Sequence, residues 1–232
     1  MTADTLAGVR EFPGKSILRP WVLAARRVRS GSLRLDDLAY GRPSFSQFGE
    51  DRVLEHFFWG QADGFYVDVG AYHPAEGSNT FLLYRRGWHG INLEPDPAAR
   101  ATIERRRPRD LTLAYAISEA AGTAEFLLKG SFSGIDDERH LWSRDGERIA
   151  VETRRLRDVL DDHLPSGTVI DLLDVDCEGH DLVVLQSNDW VRYRPRVVLV
   201  EDHKGSGVGD FLHDLGYKHY ALLGLTAIFT DF

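Results

Sequence analysis

This sequence of 232 residues has one cysteine, fewer basic than acidic residues and no long apolar run, and each of these features argues against a class of protein. The one cysteine, Cys177, rules out an internal disulfide framework and fits a reducing cytoplasm, which is the location we expect. A net charge of −8 argues against nucleic acid as a partner, because phosphate neutralisation needs a clustered basic surface. No apolar run reaches the roughly 18 residues of a membrane span. The first apolar stretch is short and followed by arginines, unlike a secretory signal peptide.

Two phosphate-binding motifs are missing as well. A nicotinamide fold carries G-x-G-x-x-G after its first strand, but here the turn from Gly70 to Gly77 has glycine only at its two ends. Glu76 within this turn would repel a phosphate. The full Walker A pattern, G-x-x-x-x-G-K followed by Ser or Thr, does not occur. The sequence therefore argues against dinucleotide and nucleoside triphosphate cofactors.

What is present is a regular alternation of strand and helix patterns from residue 46 onward, which predicts an α/β fold with a mainly parallel sheet. Strands are predicted at 65–69, 91–94, 111–117, 169–176 and 197–201, with helices between them, such as 79–86 and 97–106. The last two strands, 217–223 and 226–229, are joined by a turn too short for a parallel crossover. They are therefore expected to form an antiparallel hairpin.

The alternation defines a domain at residues 45–232 and an N-terminal extension, partly helical, at 1–44. Within the domain, about 118–149 fits no simple strand–helix unit, so we expect an irregular insertion with a hairpin near Glu125–Leu128 and a loop over the site. In the extension, the basic amphipathic stretch 16–30 fits a helix packed on the domain or on a second subunit, or a helix on a membrane surface. Pro20 favours packing, so we expect no membrane contact. A homo-oligomer stays open.

Two acidic residues mark the ends of the first two predicted strands. Asp68 lies in the strand before the glycine turn at Gly70, and Glu94 ends the next strand. An acid at the second strand's tip is how an open α/β sheet holds the hydroxyls of a nucleoside ribose. A cofactor with a ribose and a positive charge but no phosphate fits this pattern. S-adenosylmethionine is such a molecule, since Asp68 can face its sulfonium or amino group and Glu94 its ribose.

Five segments carry a more specific resemblance. Residues 46–51, 64–71, 78–80, 87–95 and 171–179 read SQFGED, GFYVDVGA, SNT, GWHGINLEP and DLLDVDCEG. In this order they resemble the FkbM family of S-adenosylmethionine-dependent methyltransferases, over roughly residues 44 to 203. The resemblance implies a class I methyltransferase fold, Rossmann-like, with a mainly parallel seven-stranded sheet and an antiparallel last strand.

The resemblance also implies an activity and a set of cofactor contacts. The activity is methyl transfer to a hydroxyl of a sugar, a glycan or another secondary metabolite, so the partner would be a small-molecule or glycan acceptor. The residues that it places around S-adenosylmethionine are Ser46, Gln47, Asp68, Gly70, Ala71, Asn79 and Glu94, with Ala116 beside the adenine.

One position departs from the family pattern. Where the family usually has lysine two residues before the aspartate of its fourth strand, this chain has Asp174. Residues 174 and 176 face the same side of a strand, so Asp174 and Asp176 replace a cation–carboxylate pair. Close carboxylates repel each other and tend to hold a proton or a metal between them. The substrate contacts of the family therefore do not transfer directly to this strand.

Carboxylates at two predicted strand tips suggest how a hydroxyl would be activated. Asp176, Glu201 and Asp202 resemble the ligands of metal-dependent methyltransferases, and their hard oxygens suit Mg²⁺, Mn²⁺ or Ca²⁺. The alternative is that these acids contact the cofactor or water. Glu178 is our preferred general base, with His180 and His203 as competitors because each could titrate near neutral pH.

Two other functions stay open from the sequence. Asp174-Val175-Asp176 is also a D-x-D motif, of the kind that holds a metal–nucleotide in glycosyltransferases. A non-catalytic, methyltransferase-like binding subunit is the other alternative, favoured by the altered residue 174. Retention of Asp68, Gly70 and Glu94 favours an enzyme.

Overall fold

Two β-sheets organise the residues that the structure, a computed structural model, describes: 43–142 and 145–232. The strands in chain order are β1 (Phe65–Val69), β2 (His89–Leu93), β3 (Leu111–Leu113), β4 (Tyr115–Ile117), β5 (Gly122–Leu128), β6 (Gly134–Ile135), β7 (Glu147–Arg154), β8 (Leu172–Val175), β9 (Val197–Glu201), β10 (Lys218–Leu223) and β11 (Thr226–Thr230). The larger sheet has seven strands in the order β10-β11-β9-β8-β1-β2-β3. The smaller one has the order β4-β7-β5-β6.

The larger sheet is mixed. Strands β3, β2, β1, β8 and β9 pair in parallel, whereas β11 runs antiparallel to both of its neighbours, β9 and β10. The predicted α/β fold with a mixed sheet is confirmed. After β1 the chain builds outward through β2 and β3, and it then returns to place β8 on the other side of β1. The gap between the carboxyl ends of β1 and β8 is thus a topological switch point, where ligands bind in open α/β sheets.

Helices cover both faces of the larger sheet. They are α1 (Glu50–Phe57), α2 (Phe81–Arg85), α3 (Pro97–Arg106), α4 (Leu156–His163), α5 (Asp181–Gln186) and α6 (Val208–Asp214). One buried cluster joins Val67, Val175 and their neighbours to residues of α4, α5 and α6. The other joins Tyr66 and Leu172 to residues of α1 and α2. Because side chains alternate along a strand, Asp68 and Asp174 lie on the same face as Tyr66 and Leu172.

The third predicted strand, 111–117, is two strands in the structure. β3 pairs with β2 in the larger sheet, whereas β4 pairs in parallel with β7 in the smaller sheet. The apolar pattern runs through the break at Ala114, so it cannot show where the chain changes its pairing partner.

The segment 118–149, for which we expected an irregular insertion, forms most of the smaller sheet. β5 pairs antiparallel with β7 along the whole length of β5, from Gly122 opposite Thr153 to Leu128 opposite Glu147. Its core is small, with Ala116, Phe126 and Val151 buried. So few apolar residues, spaced by glycines and charged residues, give a weak strand pattern, which explains the difference.

The predicted helix at 16–30 lies outside the described residues. Ser44–Phe232 form a compact unit. Among the residues that the structure describes, no helix has the length and apolar character needed to cross a membrane.

Candidate functional site

The turn after β1 packs directly against the end of β8. Gly70 has a φ of 88°, in the left-handed region that favours glycine, and its N–H donates to the Leu93 carbonyl at 3.0 Å. A Cβ at this position would lie 1.9 Å from the backbone oxygen of Asp176. The Asp176 N–H in turn donates to the Val69 carbonyl at 3.0 Å. Gly70 therefore allows the tips of β1 and β8 to meet at the switch point.

Asp68 is buried just before this turn. Its Oδ2 accepts a hydrogen bond from the Thr80 hydroxyl at 2.5 Å and lies 4.0 Å from Nη1 of Arg107. Burial raises the pKa of Asp68, while the Arg107 charge and the Thr80 hydrogen bond oppose the rise. In the sheet, Asp68 is the register partner of Asn92 in β2 and of Asp174 in β8.

Arg107 is a buried cation behind Asp68, with 0% of its surface exposed. Its Nη2 donates to the Thr80 hydroxyl and to the Tyr66 hydroxyl, each at 2.8 Å, and its Nε donates to Asp110 at 2.8 Å. The sequence gives little sign of this role, because Arg107 follows two other arginines at the end of α3, a pattern typical of a solvated helix terminus.

Glu94 lies at the tip of β2 with 4% of its surface exposed. Its Oε2 accepts from the Tyr72 N–H at 2.8 Å and its Oε1 from the Asp96 N–H at 2.7 Å. Burial raises the pKa of Glu94 to about 7 against these two hydrogen bonds, and the nearby charge of Asp68 adds to the rise. Asp68 and Glu94 are thus buried acids on neighbouring strand tips that interact with each other.

The tips of β8 and β9 bring further carboxylates to the same place. Burial raises the pKa of Asp174 well above its usual value, and the charges of Asp68 and Asp176 add to it. For Asp176 the same rise comes from burial and then from the charge of Glu201. Asp176 nevertheless keeps exposed surface, a combination typical of a residue in the wall of a crevice.

We refer to these mutually interacting acids as the carboxylate cluster: Glu50, Asp68, Asp174, Asp176, Glu178 and Glu201. Glu50 was not expected from the sequence. It starts α1 with 1% of its surface exposed and accepts the Phe48 N–H at 2.8 Å. An acid in the first turn of a helix is a common stabilising feature, so its pattern gives no functional signal.

Glu178 sits in the loop between β8 and α5, in an unusual backbone conformation. Its φ is 52°, and with Tyr72 (φ 40°) it is one of two non-glycine residues in the described part with a positive φ. Such strain often marks functional sites. The Trp142 indole donates to Oε2 of Glu178. Burial raises the pKa of Glu178 to about 9, and the charges of Asp176 and Glu201 add to the rise.

The smaller sheet and its loops hold this Glu178 loop from outside. The Leu141 N–H donates to the Glu178 carbonyl at 3.3 Å, and a Cβ on Gly179 would lie 2.1 Å from the Arg139 carbonyl oxygen. Phe132 packs on Trp142 with ring centroids 4.6 Å apart. The insertion therefore lies over the carboxyl end of β8.

His180 is buried beside Glu178, and its Nε2 lies 3.1 Å from Oδ2 of Asp137 in the insertion. Burial lowers the pKa of His180, while Asp137 opposes the change. His203, the other competitor, has its Nε2 3.0 Å from Oε2 of Glu201. Each histidine is thus paired with a carboxylate.

The other predicted cofactor residues lie in four different settings. Asn79 donates to Oδ1 of Asp174 at 3.1 Å, and the Ala71 N–H lies 3.4 Å from the Leu93 carbonyl. The Ser46 hydroxyl donates to Asp51 at 3.0 Å, and the Ser46 backbone forms a bridge with Gly77 in the turn after β1. Gln47 is exposed.

Ala116 lies in β4 rather than in the larger sheet. Its side chain is buried with Phe126 and Val151 in the core of the smaller sheet. Its predicted place beside the adenine stays a prediction.

Two of the predicted metal ligands, Asp176 and Glu201, interact with each other, whereas Asp202 bonds elsewhere. Among residues 43–142 and 145–232, no group of three or more His, Cys, Asp and Glu side chains is placed to hold a metal ion. Asp202 accepts from the Ser206 hydroxyl at 2.7 Å, on the side of α6, whereas the neighbouring Glu201 joins the carboxylate cluster. Glu201 is the last residue of β9 and Asp202 lies just beyond the strand, where its carboxylate bonds to Ser206 instead. The described residues therefore give no support to metal binding by Asp176, Glu201 and Asp202, which stays a prediction.

Buried acids at the switch point of a mainly parallel sheet are the arrangement of nucleoside-binding α/β proteins. A family model described as the methyltransferase FkbM domain matches residues 68–218. The match covers more than half of the chain, so the protein belongs to the FkbM methyltransferase domain family, as the sequence motifs indicated. No curated protein matches the sequence.

One solved structure is similar over most of its length. It is described as a TehB-like SAM-dependent methyltransferase from Corynebacterium glutamicum, and the alignment covers 91% of this chain and 96% of that chain. The identity is 13% and the TM-score is 0.40, so this likeness carries no argument about the function.

The close approach at Gly70 can be tested with a matched pair of variants. Gly70→Ala adds a Cβ that collides with the Asp176 carbonyl, whereas Gly77→Ala, at a φ of 75°, meets no atom within 4 Å. Both pay about 1–2 kcal/mol for a left-handed alanine. We expect Gly70→Ala to lower the free energy of unfolding, measured with urea, by clearly more than Gly77→Ala does. Equal losses would show that β1 and β8 do not meet this closely.

Proposed function

We propose that the protein binds S-adenosylmethionine between Asp68 and Glu94 and transfers its methyl group to a hydroxyl of a sugar, a glycan or another secondary metabolite. The observation that carries the proposal is the pair of buried, interacting acids at the tips of β1 and β2, with the Gly70 turn between them. The strand order, with β11 antiparallel, supports the class I methyltransferase arrangement. The protein would act in the cytoplasm on a small-molecule or glycan acceptor.

Glu94 has the hydrogen-bonding capacity that the ribose requires. A carboxylate offers about four lone-pair sites. Backbone N–H groups of Tyr72 and Asp96 occupy one site on each oxygen of Glu94 and fix its orientation. Each oxygen then has a further site for one of the two ribose hydroxyls. A bound ribose would donate hydrogen bonds to both oxygens of Glu94. These bonds favour the ionised carboxylate and would therefore lower the pKa that burial raises.

Asp68 supplies a negative charge for the cationic part of the cofactor. Its Oδ2 already accepts from Thr80, so Oδ1 would face the sulfonium or the amino group. Around it the carboxylate cluster favours a cation and disfavours a phosphate. The same negative charge argues against a nucleotide sugar as ligand. The glycosyltransferase hypothesis, in which the D-x-D motif holds a metal–nucleotide, also loses support because the described acids form no metal site.

Binding can be tested by calorimetry with S-adenosylmethionine. Replacing Glu94 with glutamine removes a charged acceptor, so we expect affinity to fall roughly 10- to 100-fold, as for the loss of hydrogen bonds to a charged group. Glu104→Gln, on the exposed side of α3, is the matched control and is expected to bind normally. Absence of binding by the unmodified protein at millimolar cofactor would overturn the proposal, and binding without turnover of any acceptor would favour the non-catalytic alternative.

The transfer itself needs a base for the acceptor hydroxyl. As the acceptor oxygen forms its bond to the methyl carbon, the carbon–sulfur bond breaks, leaving S-adenosylhomocysteine, and the hydroxyl proton moves to the base. Glu178 is the preferred base because its loop adjoins the cluster and its raised pKa makes its carboxylate a stronger proton acceptor. His180, paired with Asp137, is better suited to fix the loop. Asp176, in the crevice wall, would orient the acceptor.

This assignment predicts a pH profile. A base must be ionised, and the pKa of Glu178 in the free protein is about 9, so kcat/KM should rise with pH through about 9 and level off only above it. Glu178→Gln should lower kcat by roughly 10²–10⁴-fold and remove this rise. A comparable loss in His180→Ala, with Glu178→Gln active, would move the role to the histidine.

A further inference from the structure

We propose that Arg107 and Thr80 are positioning residues for Asp68: together they fix the direction of the Thr80 hydroxyl proton and so hold Asp68 ready to meet a cation as an ionised carboxylate. This inference rests on the proposed function, since it concerns the acid that would face the sulfonium. It assigns a role to a buried arginine outside the predicted site residues.

The direction of the proton follows from the donors around Thr80. A guanidinium has donors and no acceptor, so the Thr80 oxygen must accept the bond from Nη2 of Arg107, which is 2.8 Å long. The Ser78 oxygen, 3.3 Å away, accepts from the Phe81 N–H and can donate its own proton to Thr80. The Thr80 proton is then left for Oδ2 of Asp68, 2.5 Å away.

A second set of hydrogen bonds, to Tyr66 and Asp110, holds Arg107 in place. The Tyr66 hydroxyl accepts from Nη2 of Arg107 at 2.8 Å and donates to Oδ2 of Asp110 at 2.6 Å. Burial raises the pKa of Tyr66, so it remains a donor. Asp110 also accepts from Nε of Arg107, and both side chains are fully buried. Arg107 is thus locked between Asp110 on one side and Thr80 and Asp68 on the other.

The charges around Asp68 show why such a device is needed. Asp110 lies near enough to raise the pKa of Asp68, and the charge of Asp68 in turn adds to the raised pKa of Glu94, Asp174 and Asp176. Against these acids, Arg107 is the cation that lowers the pKa of Asp68, and Thr80 supplies the hydrogen bond that acts in the same direction. We call the hydrogen bonds from Arg107 through Thr80 to Asp68 the relay. Without the relay, the pKa of Asp68 would rise further, and a proton on Asp68 would compete with a cationic ligand.

Thr80 is the better residue to vary. Removing Arg107 would leave Asp68 and Asp110 without their buried counter-charge and destabilise the whole fold. Thr80→Val keeps the shape of the side chain and removes the hydroxyl, whereas Thr80→Ser keeps the hydroxyl. Thr153→Val is a matched control, because Thr153 is also buried and donates to a backbone carbonyl in the smaller sheet, away from Asp68.

The experiment is calorimetric titration of the full chain with S-adenosylmethionine between pH 6 and 9, together with an NMR titration of the Asp68 carboxyl carbon without ligand. We expect Thr80→Val to bind about tenfold more weakly. We also expect the affinity of Thr80→Val to keep increasing up to a higher pH than that of the unmodified protein. Thr80→Ser and Thr153→Val should show the affinity and the pH dependence of the unmodified protein.

The two readouts separate the inference from the function on which it rests. If Thr80→Val keeps the affinity and pH dependence of the unmodified protein, or if Thr80→Ser is as weak as Thr80→Val, the relay is wrong. If the unmodified protein binds no S-adenosylmethionine, the proposed function fails. In that case the NMR titration of the Asp68 carboxyl carbon still tests the relay by itself. The pKa of Asp68 should rise in Thr80→Val and stay unchanged in Thr80→Ser.

Discussion

Mutual repulsion among carboxylates, of which Asp68 and Asp174 are buried, is the constraint on which the rest of this site depends. The tips of β1, β8 and β9 bring Asp68, Asp174, Asp176 and Glu201 together at the switch point of the sheet. Burying like charges is costly unless the groups take up protons or meet a cation. The protein supplies Arg107 on the inner side of Asp68. The outer side is where a cationic ligand would relieve the repulsion.

The backbone around the cluster is held in conformations that serve the same geometry. Gly70 lets the β1 turn meet the Asp176 carbonyl, and the loop with Glu178 keeps a positive φ. Asp181 stabilises this loop by accepting the N–H groups of Cys177 and Gly179 at 2.9 and 3.2 Å. From outside, the smaller sheet contacts the same loop through Leu141 and Trp142. The positive φ of Glu178 is therefore supported from two sides.

The sequence was sufficient for the sheet and for the acids on its first strands. Apolar runs mark β1, β8 and β9 because these strands are buried on both faces. Asp68 and Glu94 interrupt or end such runs, so their placement was readable. The smaller sheet could not be predicted from the sequence, because its few buried residues, such as Phe126, give little periodicity. Arg107 and Glu50 were missed because their sequence neighbourhoods look solvated, and only the tertiary fold buries them. The separation of Asp202 from Glu201 depends on where β9 ends and on the Ser206 hydrogen bond just beyond it, which the letter pattern does not reveal.

Proton release on cofactor binding is the most direct measure of the central claim. With a pKa of about 9, Glu178 holds a proton near pH 7, and Glu94 and Glu201, each with a pKa of about 7, are partly protonated there. A bound sulfonium should lower these pKa values and drive protons into solution. Calorimetry in buffers of different ionisation enthalpy should therefore show more protons released with S-adenosylmethionine than with uncharged-sulfur S-adenosylhomocysteine. Equal release with both ligands, or none, would contradict a site built around buried negative charge.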